Sequence, residues 1–77
     1  MQKFNIRLGS IAEVKEFSGI LSSAPFDADL SSGKYVVDAK SIMGIFSLDL
    51  SGTLVLTVQT DTNISHIISQ LKKFIAA

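Results

Sequence analysis

The chain has no cysteine, so it has no disulfide framework, no thiolate metal site and no sign of an oxidising compartment. A single histidine in 77 residues excludes a histidine cluster. Charge of either sign is not in excess: seven Lys plus Arg balance seven Asp plus Glu. General electrostatic attraction toward nucleic acid or anionic lipid is therefore missing. The opening Met1-Gln2-Lys3-Phe4-Asn5 lacks the apolar core of a signal peptide, and no run approaches the roughly 20 apolar residues of a membrane span. These absences lead us to expect a cytoplasmic protein with no membrane partner, no direct nucleic-acid partner, no metal and no cofactor. The length fits one domain over residues 1–77, small enough that only about 60% of the unfolded surface can be buried.

What is present is regular patterning. Phe4, Ile6 and Leu8 alternate with Lys3, Asn5 and Arg7, the period of a strand over residues 2–8 with one wet face. Gly9 breaks it. Ser10-Ile11-Ala12-Glu13 has the spacing of a capping box, so a helix should begin there, with Ile11, Val14, Phe17, Leu21 and Ala24 as its core stripe. The one proline, Pro25, ends that helix by restricting the residue before it. Phe26, Ala28 and Leu30 alternate with Asp27, Asp29 and Ser31, and Tyr35, Val37 and Ala39 with Lys34, Val36 and Asp38, on either side of Ser32-Gly33. This reads as a two-stranded hairpin. Asp49-Leu50-Ser51-Gly52 supplies turn chemistry before a fourth strand on Leu54, Leu56 and Val58. Asp61-Thr62-Asn63 offers capping oxygens for a last helix with Ile64, Ile67, Ile68, Leu71 and Ile75 on one stripe, and Lys72-Lys73 near its carboxyl end suit the helix dipole.

The order is β-α-β-β-α-β-α. Four short strands cannot bury their apolar faces alone, so three helices should cover one face of an antiparallel sheet in a two-layer α+β domain. Pattern alone leaves the strand order open, and a ferredoxin-like arrangement is also compatible with it.

Ala39 to Leu48 is the stretch least explained by folding. Ser41 can cap one short helix with its hydroxyl. Ile42, Met43, Ile45 and Phe46 then cover most of a two-turn circumference, with Gly44 lowering helix propensity, so at least one of them should be left on the surface. They can be core, or a docking patch built from Met and Phe. Asp27 and Asp29 alternate onto a solvated strand face, and Asp38 adds no carboxylate cluster to them. His66 lies off the apolar stripe of the last helix. No acid, base and nucleophile converge, and no enzymatic activity is expected.

Lys40-Ser41-Ile42-Met43-Gly44-Ile45, followed by Ser47-Leu48, resembles the regulatory-serine helix of the bacterial phosphocarrier HPr family. Phe26-Asp27-Ala28-Asp29-Leu30 resembles the family's second strand, and nearly the whole chain can be laid on the family with a short deletion at the hairpin around Gly33. The resemblance implies an HPr-like open-faced sandwich with sheet order 1-4-2-3. It implies that Ser41 is a kinase target and that Ile42, Met43, Phe46 and Lys40 form a partner-binding surface. The family's other signature is absent. A phosphocarrier has a histidine at the start of the first helix and an arginine two residues later; counting back from Phe26 puts these at Ala12 and Val14, and Gly9 to Ser23 holds neither residue type. Alanine and valine neither accept nor cradle a phosphoryl group.

The chain is thus similar to the catabolite-repression HPr paralogue of low-GC Gram-positive bacteria, which lacks the histidine and keeps the serine. The expected partners are an HPr-type serine kinase, a catabolite control transcription factor or the enzymes of the sugar phosphotransferase system, with the chain a monomer or weak homodimer. Two other readings stand beside this one: a degenerate phosphotransferase component that docks without turnover, and an unrelated α+β interaction module.

Overall fold

Period-two alternation becomes four strands. A computed structural model describes residues 1–76, with β1 at Gln2–Ile6, β2 at Ala28–Ser32, β3 at Tyr35–Asp38 and β4 at Leu54–Val58. The helices are α1 at Ile11–Ser22, α2 at Ile42–Phe46 and α3 at Ser65–Leu71, the last running into a 3-10 turn at Lys72–Phe74. The sheet is antiparallel in the order β1-β4-β2-β3, so the ferredoxin-like alternative is excluded and the α+β sandwich with three helices holds.

Register shows how the sequence builds two unlike faces. Phe4, Leu56, Leu30 and Val37 lie side by side across all four strands, and Leu56 and Leu30 are fully buried. One residue along, the row is Asn5, Val55, Ser31 and Val36, which faces away from the core. Central β4 carries the most weight, with Leu54, Leu56 and Val58 all inaccessible.

Against the apolar face, α1 buries Val14, Phe17 and Leu21. The Phe17 ring meets Phe74 edge to face, centroids 5.9 Å apart, an arrangement favoured by the aromatic quadrupoles. Burying three large side chains of this kind contributes on the order of 1.5–3 kcal/mol each. Ser18 is the single buried polar side chain among the described residues, and its hydroxyl donates to the Lys40 carbonyl at 2.8 Å. Lys40 returns the tie, its ammonium donating to the Ala24 carbonyl at 3.1 Å.

Several expectations need correction. β1 ends at Ile6, and Leu8 is buried beyond the ladder. Ile11 is exposed, not core, because the first turn of α1 overhangs an open cleft and the buried stripe starts at Val14. The hairpin turn is Gly33-Lys34, since Ser32 still pairs with Tyr35. Gly33 has φ +59°, the positive value a two-residue hairpin turn requires at its first central position. Tyr35 alternates in phase with Val37 yet is exposed, because it sits past the end of the layer of helices.

At the carboxyl end, Asn63 does supply a capping oxygen, accepting from Ser65 N–H at 2.9 Å, although the residue flanking α3 is Ile64. Ile75 is outside the helix. It bridges to Ile6, while Arg7 N–H donates to the Phe74 carbonyl and Ala76 N–H to that of Asn5, each at 2.8 Å. Phe74, at 3-4-3 spacing after Ile64, Ile67 and Leu71, takes the core position expected of Ile75.

Candidate docking surface at the second helix

Two serines open two helices. Ser10 Oγ accepts from Glu13 N–H at 3.2 Å while Glu13 Oε1 accepts from Gly9 N–H at 2.6 Å, closing the reciprocal box that the spacing predicts. Ser41 Oγ accepts from Gly44 N–H at 3.1 Å. No carboxylate answers it, because the third helical residue there is glycine. A Cβ on Gly44 would stand 3.2 Å from Ser41 Oγ and 3.3 Å from Val37 Cβ, so the glycine lets α2 approach both its cap and β3.

Of α2, only Ile45 is fully buried, and Leu48 follows it inward. The rest of its apolar surface faces out: Met43 is 81% exposed, Phe46 39% and Ile42 36%. The structure therefore brings Ser41, Ile42, Met43 and Phe46 together on one short element. Lys40, at its threshold, is held differently, with its ammonium turned toward Ala24 and its amide donating to Asp38 Oδ1 at 2.9 Å. Ser47 closes the helix by donating to the Gly44 carbonyl at 2.6 Å. Asp49 then accepts from both the hydroxyl and the amide of Ser51, which holds its carboxyl below the usual range.

Phe46 also walls an open cleft of about 720 Å³ beside the start of α1, which includes Arg7, Ser10, Glu13 and Lys73. Ser10 caps α1, and Ala12, in its first turn, is exposed. Val14 points into the core with no exposed surface and does not line the cleft. His66 is exposed on α3, on an element that does not line the cleft. The cleft was not legible as a site beforehand: Arg7, Phe46 and Lys73 are far apart in sequence and carry no motif.

No family model matches the chain, and no curated protein does. Among solved structures, HPr-C-His from Thermoanaerobacter tengcongensis superimposes with a TM-score of 0.76 over 95% of this chain and 89% of that one, at 25% identity. The fold is HPr-like. The resemblance puts the phosphocarrier's histidine and arginine at Ala12, exposed in the first turn of α1, and at buried Val14, and its regulatory serine at Ser41, which caps α2. Among the described residues no helix is long and apolar enough to cross a membrane.

Proposed function

We propose that this is a non-catalytic, HPr-like partner-binding protein related to the bacterial phosphoenolpyruvate-dependent sugar phosphotransferase system, with Ser41 as its regulatory phosphorylation site. The observation that carries the reading is the pairing of an unreactive α1 start with Met43, 81% exposed, two residues after a capping serine. Phosphorylation of Ser41 adds about −1.5 to −2 charges beside Ile42 and Met43. A dianion there disfavours a partner that needs a dry apolar contact and favours one with a matching arginine. Lys40 contributes little compensation, because its ammonium is turned to the Ala24 carbonyl. A cytoplasmic HPr-type serine kinase would write the mark and a catabolite control transcription factor would read it.

The test is incubation with an HPr-type serine kinase and ATP, followed by intact mass and peptide mapping. Uptake of one phosphoryl group by the wild type and none by Ser41→Ala supports the reading; equal uptake, or none by either, removes the regulatory half of it. A parallel incubation with phosphoenolpyruvate and the general phosphotransferase enzyme should leave the mass unchanged. The cleft favours a second reading, docking on phosphotransferase enzymes without turnover, since Arg7, Phe46 and Lys73 border the blind α1 start. Arg7→Glu would weaken capture of those enzymes under that reading and leave kinase recognition intact.

A further inference from the structure

The two edges of the sheet are finished differently. On the β1 side, residues 74–76 add backbone hydrogen bonds along the outer edge. On the β3 side no further strand pairs with the edge among the described residues. Because the Gly33-Lys34 turn closes on the Ser32 and Tyr35 pair, hydrogen-bonded pairs alternate from there to Leu30 with Val37 and on to Ala39, whose N–H donates to the Ala28 carbonyl. The N–H and C=O of Val36 must therefore point away from β2, into open space. Edge strands are ordinarily protected by short length, charged side chains, proline or a bulge. β3 has no proline and is kept apart only by its four-residue length and by Lys34 and Asp38 at its two ends, while Tyr35 and Val36 are 74% and 62% exposed.

We propose that a second copy of this chain pairs on the β3 edge, antiparallel about a two-fold axis through Val36, to make a continuous eight-stranded sheet. Only that register pairs opposite charges, and its backbone bonds are those of Val36, because the Asp38 carbonyl already accepts from Ser41 N–H at 3.0 Å. Outward-pointing residues must face one another, which permits Val36 opposite the partner's Lys34, the partner's Val36 or the partner's Asp38. Centring on Val36 alone sets Lys34 against the partner's Asp38, and does so twice by symmetry. Asp38 Oδ1 already accepts from Lys40 N–H, which leaves Oδ2 to meet the ammonium. On the other face Tyr35 meets the partner's Val37, an aromatic on a β-branched side chain. Pairing by one short strand buries less than the roughly 1,200 Å² of a stable interface, so the dimer is weak and concentration-dependent.

The proposal is independent of Ser41 and of any partner at α2. Sedimentation equilibrium from micromolar to millimolar concentration should show the mass of the wild type rising toward twice the monomer. Lys34→Asp and Asp38→Lys should each lower the association constant roughly tenfold or more by placing like charges together, and the two changes combined should restore it. Absence of cysteine gives a second readout. Val36→Cys should cross-link to itself under mild oxidation, whereas Val55→Cys, on the same open face but two strands from the edge, should not. A wild type that stays monomeric at millimolar concentration overturns the proposal. So does association that the charge reversals leave unchanged, or equal cross-linking at both positions.

Discussion

Helices α1 and α2 both start on a serine whose hydroxyl accepts from the amide three residues on, yet they do opposite things with their apolar residues. Over twelve residues α1 buries Val14, Phe17 and Leu21, while five-residue α2 buries Ile45 alone and turns Met43 outward. Capping chemistry starts a helix, and the number of apolar residues that reach the sheet decides whether that helix holds the fold or displays a surface. The first helix is structural and the second is anchored at one point.

Phe17→Ala should break the comparison most severely. It removes a fully buried ring and its Phe74 contact, for a loss of about 3–5 kcal/mol, and urea denaturation should find most of the protein unfolded before the wild-type transition begins. Ile45→Ala should cost toward the lower end of about 2–5 kcal/mol, because a short helix anchored at one residue can collapse into part of the cavity. A larger loss than for Phe17 would mean that α2 organises the core. Ser10→Ala and Ser41→Ala should each cost about 0.5–2 kcal/mol, with Ser10 the larger since its box partner Glu13 is disrupted as well.

Smaller effects probe the far end of α2. Ser51→Ala should raise the Asp49 pKa, followed by carboxyl NMR titration, since both bonds to Ser51 favour the charged form and the hydroxyl bond is the greater cause. A folded pKa held low means that the stabilisation is present above the ordinary carboxylate value and is lost as pH falls through the depressed one. Met43→Ala should change stability by no more than about 0.5 kcal/mol while weakening partner capture. Substantial unfolding by that change would place Met43 in the core.

Much of the architecture was legible in the residues. Strand β4 was readable because a central strand buries its alternate residues without exception. The α1 start was readable because its box is local. Strand order was not, since alternation says which face is apolar and nothing about which strand is its neighbour; the family resemblance supplied 1-4-2-3. Periodicity also overreached where elements end. Ile11, Tyr35 and Ile75 all keep the phase of a buried stripe and lie beyond the layer that would cover them or outside the helix. In the candidate site, exposure of Met43 followed from having too many apolar residues for one helix, but the inward turn of the Lys40 side chain depended on the Ala24 carbonyl, which only the tertiary arrangement brings near.

The bonds that finish the β1 edge set the timetable of folding as the protein is synthesised. Within this sheet β1 leaves the ribosome before the other strands, yet its partners are β4 and residues 74–76, both made after β2 and β3. A nascent chain that ends before β4 can close the β2 and β3 hairpin but must leave Phe4, Ile6 and Leu8 without a sheet to join, so its exposed strand is open to premature association.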